Sequence, residues 1–232
     1  MRTISSKQNP LVKRIREAIR EHADEIVVEG PKAVADAIAN GWKPIHVLER
    51  GVHVTEAVFD AISETRTTQG VLGLFERPRA RFEEILARRD TIAVALDGVQ
   101  DPGNVGTIVR LAAAFDAAGV LLLPGCADAF GPKAIRSSAG AVLHVPVANI
   151  TSAQLLAANV PLVATAMSGQ AIEPPSRNAV LVFGNEGAGV SEELLRRSTL
   201  LAIPITSRVE SLNVASSAAI LLARSYALRD VR

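Results

Sequence analysis

Three polar stretches of the chain hold side chains able to orient a ligand or move charge. They are "LDGVQDPGNVGTIVR" (residues 96–110), "LVFGNEGAGVSEELL" (181–195) and "IPITSRVESLNVASSAAILL" (203–222). In the first, Gly98, Gly103 and Gly106 permit backbone bends or close approach, and Asn104 is suited to capping a helix. Arg110 interrupts "TIV" and "LAAAF"; if buried, its guanidinium needs an anionic partner, and the alternative is a surface arginine lying over apolar neighbours. In the second stretch, glycines surround Glu186, and Ser191 stands ahead of Glu192 and Glu193 as a helix cap. In the third, Ser211 or Asn213 can cap a final helix whose Ala215, Ser216, Ala218 and Ala219 allow close backbone packing.

Metal and phosphate chemistry are poorly supported by these residues. The single Cys126 and the histidines at 22, 46, 53 and 144 give neither a C-x-x-C pair nor an H-E-x-x-H motif. The glycines match neither G-x-x-x-x-G-K-[ST] nor a G-x-G-x-x-G opening with a well-placed acid. A neutral backbone with an acid better suits a ligand without phosphates.

The elements that must carry these loops follow from the apolar pattern. "TIAVAL" reads as a buried strand, "VGTIVRLAAAFDAA" as a helix and "VLLL" after Gly119 as the next strand. This β-loop-α-β unit implies parallel strands covered on both faces. "PKAIRSSAGA" reads as a helix, followed by "AVLHVPV", "PLVATAM", "AVLVF" and "LLAIPI", with a terminal helix over 213–227. In such sheets ligands sit beyond the carboxyl ends of strands, where all three polar loops fall. Ahead of this region, Asn9-Pro10 starts a helix to about residue 22. "EIVVEG", "PIHVLE" and "GVLGLFE" read as strands, with "PKAVADAIAN" and "TEAVFDAISE" as helices. The Pro- and Arg-rich segment 76–90 is the expected boundary.

At 48% hydrophobic the chain can fill a core without staples, and its net charge of +1 makes it no polycation. Charge is nevertheless uneven. Residues 1–20 carry Arg2, Lys7, Lys13, Arg14, Arg16 and Arg20 against Glu17, and residues 76–90 add five arginines. Such clusters can neutralise phosphates or simply face solvent. At 3% aromatic residues, a base-stacking platform is not expected. The charged N-terminus lacks an apolar signal core, and no uncharged run reaches the length of a membrane span, so a cytoplasmic globular protein without a membrane role is expected.

Taken in order, the three loops resemble the SpoU/TrmH family of S-adenosylmethionine-dependent RNA ribose 2′-O-methyltransferases, within the SPOUT class. The pattern N-x-G-x-x-x-R is met by Asn104, Gly106 and Arg110, and G-x-E-G-x-G by Gly184, Glu186, Gly187 and Gly189. The pattern I-P-x-x-x-x-x-x-S-L-N-V is met by Ile203, Pro204, Ser211, Leu212, Asn213 and Val214. The resemblance implies an α/β fold whose C-terminal parallel-sheet domain (91–232) carries a deep trefoil knot. It also implies a linker over 77–90 and a small α/β, ribosomal-protein-like RNA-binding domain over 1–76. Backbone at Gly184, Ile203 and Leu212 would meet S-adenosylmethionine. Arg110, Asn104, Glu186, Ser211 and Asn213 would orient the reacting groups, and the last helix would pack on a second copy in a homodimer. Many members have I-P-M-x-G where this chain has "IPITS", so Ser207 stands where a residue of positive φ would favour glycine.

The implied reaction is attack of a ribose 2′-hydroxyl on a sulfonium methyl, with ribosomal RNA as the first substrate class and tRNA as the second. Positioning alone can lower such a barrier by roughly 7–11 kcal/mol. Arginine is too weak an acid to lose its proton easily, so Arg110 reads primarily as an electrostatic orienter. Two other classes stay open: a dinucleotide-dependent α/β enzyme, and a non-catalytic RNA-binding protein of the same fold.

Overall fold

The computed structural model describes residues 3–21, 24–63 and 68–229. The chain divides into two compact units, one of residues 1–78 with 130–135, the other of residues 79–129 with 136–232.

In the first unit, α1 (Pro10–Glu21), β1 (Glu25–Glu29), α2 (Pro31–Ala39), β2 (Pro44–Glu49), α3 (Glu56–Phe59) and β3 (Val71–Glu76) follow in order. The strands form an antiparallel sheet in the order β1-β3-β2. Asn9 Oδ1 accepts from the Leu11 N–H at 2.9 Å, and Pro10 begins α1, as the Asn-Pro pair predicts. Val12, Ile15 and Ala18 recur along one face of α1 and pack with Leu48, Phe59, Leu72 and Leu74 in a single core. The helix expected over "TEAVFDAISE" is one turn only, followed by non-helical turns at residues 60–62; residue 64 lies outside the described residues, as does residue 22.

In the second unit, α4 (Phe82–Ala87) falls inside the segment read as linker, where Pro78 and the arginines masked a short amphipathic turn. Then come β4 (Ile92–Asp97), α5 (Pro102–Ala114), β5 (Val120–Leu122), α6 (Pro132–Ser137, whose first four residues are counted with the first unit), β6 (Val147–Asn149), α7 (Ser152–Ala157), β7 (Leu162–Gln170), β8 (Ala179–Gly184), α8 (Glu192–Leu195), β9 (Ser198–Leu201) and α9 (Val214–Ala227). Six strands form a parallel sheet in the order β6-β5-β4-β8-β7-β9. The apolar run "AVLHVPV" is not one strand. Gly140 in the left-handed region (φ 84°) starts a 3₁₀ turn over Ala141–Leu143, and only Val147–Asn149 joins the sheet.

The central strands β4 and β8 are buried on both faces, which is why they read as continuous apolar runs. Ala93 and Ala95 face a cluster with Val180, Val182, Ile85 of α4, Leu155 of α7 and Leu194 of α8. Val94 and Leu96, pointing the other way, are fully buried too. On α5 and α9, which pack against each other, Val105, Ile108, Val109, Ala112, Ala218, Leu221 and Leu222 are buried. Each such large aliphatic side chain contributes roughly 1.5–3 kcal/mol relative to exposure.

Strand β8 ends on Gly184 because nothing larger fits. A Cβ there would stand 2.1 Å from the backbone of both Gly189 and Val190. The loop that begins at Gly184 therefore folds back directly over its own strand end. Gly184→Ala must push this loop away, and is expected to destabilise the protein by about 1–3 kcal/mol. At about 2–4 °C per kcal/mol for a chain of this size, thermal unfolding should show a clear drop in Tm; an unchanged Tm would contradict the close packing.

Candidate functional site

The carboxyl ends of β4 and β8 lie side by side, with Asp97 opposite Gly184 in the register. The loops that leave them are bonded to each other. Gly98, at φ 69°, turns the chain away from β4, and its carbonyl accepts from Asn185 Nδ2 at 2.7 Å. Asn185 Oδ1 accepts from the N–H groups of Gly187 and Ala188 at 2.8 and 2.9 Å, so a single amide closes its own turn and clamps it to the first loop. Asp97 Oδ2 accepts from the Ser191 N–H at 2.7 Å at the far end of the second loop. Gly98 makes the bend expected of it, whereas Asp97 and Asn185 form these ties without having been singled out in the sequence. An acid ending an apolar strand and an asparagine inside a glycine turn are the signals that mark them.

Helix α5 begins earlier than the apolar pattern indicates. Asp101, not Asn104, is its N-cap, accepting from the Gly103 N–H at 2.9 Å, with Pro102 as first helical residue. Asn104, expected as the cap, is therefore inside the first turn with its side chain free for tertiary bonds. Its Nδ2 donates to Glu186 Oε1 at 2.9 Å, and its Oδ1 accepts from Asn213 Nδ2 at 3.2 Å. Asn213 caps α9, its Oδ1 accepting from the Ala215 and Ser216 N–H groups at 2.9 and 3.3 Å. Glu186 Oε2 also accepts from the Gln100 N–H at 3.4 Å. Asn104 thus ties all three polar loops together.

The direction of every bond in this relay is determined at its ends. The N–H groups opening α9 require the oxygen of Asn213, which turns its NH₂ toward Asn104. Asn104 must then present its oxygen to Asn213 and its NH₂ to the Glu186 carboxylate. Partial burial pushes the Glu186 carboxyl up, but the Asn104 amide and the N–H groups of Glu186, Gln100 and Asp101 together outweigh it and hold it below its ordinary value.

The other expected site residues stand outside the relay. Ser191 has the backbone geometry of a helix cap but makes no side-chain capping bond; its N–H is directed to Asp97 instead. Arg110 is exposed on α5 and has no hydrogen-bond or ion-pair partner among the described residues, so the buried guanidinium considered from the sequence is not realised. Ser211 is exposed and likewise makes no hydrogen bond among the described residues. Ser207 is exposed and does not adopt positive φ, which removes the conformational objection to serine at that position. Residues 202–213 form no regular structure, and the main chain of half-buried Ile203 and Leu212 has no hydrogen-bond partner among the described residues. Unpaired backbone in a long irregular loop is suited to receiving ligand hydrogen bonds.

Nearby Cys126 donates to the Leu96 carbonyl at 3.1 Å, and burial pushes its thiol up, so it is a protonated structural group and not a thiolate nucleophile. Among the described residues no cluster of His, Cys, Asp and Glu could hold a metal ion. What the site offers is backbone, amides and an ionised carboxylate on a strand-end platform: orientation and charge, with no nucleophile of its own.

Two substitutions separate the parts of the relay. Asn104→Asp places a carboxylate against Glu186, so Glu186 should titrate higher than in the wild type, readable by NMR. Because the folded Glu186 carboxyl titrates below the unfolded one, its stabilising contribution is complete above the ordinary glutamate range of about 4.3. It is lost as pH falls through the lower folded value. Glu186→Gln should therefore lower the urea midpoint at neutral pH, approach the wild type below the folded value, and so flatten the acid side of the midpoint profile against pH. An unaltered acid limb would mean that the carboxylate contributes nothing to loop closure.

With this geometry in place, the chain can be compared with known proteins. A family model described as the SpoU rRNA Methylase family matches residues 91–223. The chain is 37% identical over 214 residues to the 23S rRNA (guanosine(2553)-2′-O)-methyltransferase RlmP of Bacillus subtilis, covering 87% of this chain and 84% of that protein. It is 27% identical over 237 residues to the 23S rRNA (uridine(2479)-2′-O)-methyltransferase of Streptomyces viridochromogenes, covering 88% and 83%. Among solved structures, an AdoMet-bound rRNA methyltransferase from Sinorhizobium meliloti superposes with a TM-score of 0.89 at 32% identity over 98% of both chains. The matched region spans the whole parallel sheet and all three tied loops, and the chain belongs to the SpoU rRNA methylase family.

Proposed function

We propose that the protein transfers a methyl group from S-adenosylmethionine to a ribose 2′-hydroxyl of ribosomal RNA. The observation that carries this reading is the convergence of the three loops on the Asn104 relay, the third of them with main chain at Ile203 and Leu212 unpaired among the described residues. Family membership and the 2′-O activity in the names of two relatives support the same reaction. S-adenosylmethionine fits the residues present: Gly184, Ile203 and Leu212 offer backbone to its adenosine part, and Asp97 and Glu186 disfavour a phosphate-bearing ligand instead. When bound, it supplies an activated methyl group on a positively charged sulfur.

In this reading the chain's own residues orient and do not react. Asn104, Glu186 and Asn213 hold the loops in register so that cofactor and ribose meet in line, where effective concentration does most of the work. Ser211, exposed and without a hydrogen bond among the described residues, would contact the ribose. Arg110 pairs with an RNA phosphate beside the reacting hydroxyl and favours its ionised form; it stays protonated throughout. Held in line by these residues, the cofactor would supply its methyl carbon to the ribose oxygen, with the electron pair of the carbon–sulfur bond left on sulfur, and the hydroxyl proton would leave to solvent.

The remaining family features belong to the same proposal. The chain leaves edge strand β9, crosses in residues 202–213 and enters α9, which packs on α5 and β8 at the middle of the sheet; this return path supports a deep trefoil knot, a rare exception to unthreaded connections. Ile220 of α9 is 38% exposed, and this helix would pack on a second copy in a homodimer. Residues 1–76 would bind RNA, with 77–90 as linker. No helix among the described residues is long and apolar enough to cross a membrane, and a reducing cytoplasmic setting suits the lone Cys126.

The test is chemical. Methylation of bacterial 23S rRNA transcript with labelled cofactor, followed by mapping, gives the modified nucleotide. A transcript with 2′-deoxyribose at that position alone should bind but accept no methyl group. Methylation of the deoxy substrate at an undiminished rate would assign the enzyme to base modification. Arg110→Ala should lower transfer by about 10²-fold or more, the scale for loss of one charge-stabilising donor, with calorimetric S-adenosylmethionine binding retained. Parallel loss of cofactor binding would contradict the role given to Arg110.

A further inference from the structure

A groove of about 550 Å³ runs along α1 in the first unit, closed on its other side by the turn at residues 61–63 that follows α3. Lys13, Arg16 and Arg20 line it, three cations spaced three and four residues apart and so presented on one helix face, against one carboxylate among the described residues, that of Glu17. Arg16 Nε donates to the Ala61 carbonyl at 3.3 Å, which anchors its guanidinium at the base of the groove. Lys13 and Arg20 are exposed and form no ion pair among the described residues. This sets them apart from Arg14 on the same helix, whose guanidinium is committed to Glu25. The remaining described lining is Ile19, Ala61, the fully buried Ile62 and Ser63, with no aromatic ring among the described residues.

We propose that this groove seats the phosphodiester backbone of one RNA strand. The inference rests on the RNA-directed reading above and gives its recognition surface a place. An excess of cations along a concave face matches a polyanion in charge, and the groove's length along the helix suits a continuous strand more than an isolated ion. The described lining residues offer charge and aliphatic surface and no ring to stack on, which suits reading of backbone with little sequence selectivity. Glu17 lies among the cations and weakens the field they make. The groove therefore holds RNA less tightly than its cations alone would, as suits an enzyme that must release its product.

Binding of bacterial 23S rRNA transcript to the full-length protein, measured over a salt series, tests this directly. The double variant Lys13→Ala with Arg20→Ala should bind about tenfold more weakly near 0.1 M salt. The slope of log affinity against log salt should shrink by about 1.4, roughly 0.7 for each lost contact to a single strand. Both positions are exposed and alanine favours helix, so α1 should persist, checked by its melting curve. Glu17→Gln should shift affinity the opposite way, tightening binding about threefold through removal of a repelling charge. Calorimetric S-adenosylmethionine binding should be unchanged in all variants. Unchanged RNA affinity and salt slope in both variants, with wild-type methylation intact, overturns the groove alone and leaves it to an acidic protein partner. A wild-type protein that binds RNA yet transfers no methyl group overturns the proposed reaction alone, because the groove is read from binding. Wild-type protein that binds no RNA overturns both.

Discussion

The tertiary constraint on which the site depends is the position of the Asn104 amide. Backbone hydrogen bonds of the sheet bring β4 and β8 together, but they do not reach the segment before α9, which arrives from the far edge of the sheet after β9. Asn104 makes that connection through Asn213, and its other end holds Glu186. An amide is suited to this because it has a donor and an acceptor on opposite sides, whereas a carboxylate or an ammonium could satisfy only one neighbour. The helix N–H groups at one end and the carboxylate at the other permit only one orientation of both asparagines. Three loops far apart in sequence are thereby held in one arrangement.

That arrangement is possible because capping and bridging fall to different residues. Asp101 takes the α5 cap and so releases Asn104 for the tertiary bond. Asn213 does both jobs at α9, with its oxygen spent on the cap and its nitrogen on Asn104. Beneath them, the absence of a side chain at Gly184 lets the second loop lie over the end of β8, and Asn185 and Asp97 fasten its two ends to the first loop and strand. The first two loops are irregular in conformation but extensively hydrogen bonded, which is how strand-end platforms position ligands without regular structure.

Much of this was legible in the residues. Runs such as "TIAVAL" and "AVLVF" announced doubly covered parallel strands, because their burial on both faces leaves no polar alternation to confuse the reading. The glycine turn and the polar segment before α9 stood out by composition. What failed was local competition among polar residues: "DPGN" contains two good caps, and only the proline after Asp101 shows which one begins the helix. "AVLHVPV" was apolar enough for a strand, but the left-handed Gly140 and the 3₁₀ turn after it consume its first half. The partners of Asn104 lie 82 and 109 residues away, a pairing that no local pattern encodes. The exposure of Arg110 was equally hidden, since an arginine between apolar residues reads the same whether it is buried or lies at the helix edge.

The electrostatics of the platform also decide between ligand classes that the fold alone leaves open. Asp97 and Glu186 both stand at the strand ends, and both are satisfied by backbone or amide N–H groups and not by a lysine or arginine. Those bonds keep Glu186 ionised without neutralising it. A dinucleotide would bring its pyrophosphate against two such carboxylates, with no cationic side chain in the relay to offset the repulsion and no phosphate-cradling motif in either glycine loop. A ligand with neutral hydrogen-bonding groups and a positive centre meets no such penalty. Arg110 carries the opposite charge on the exposed side of α5, outside the relay. In the proposed reaction the group that meets the RNA phosphate is thus outside the anionic relay, the division of charge required when a cationic methyl donor must meet a polyanionic acceptor.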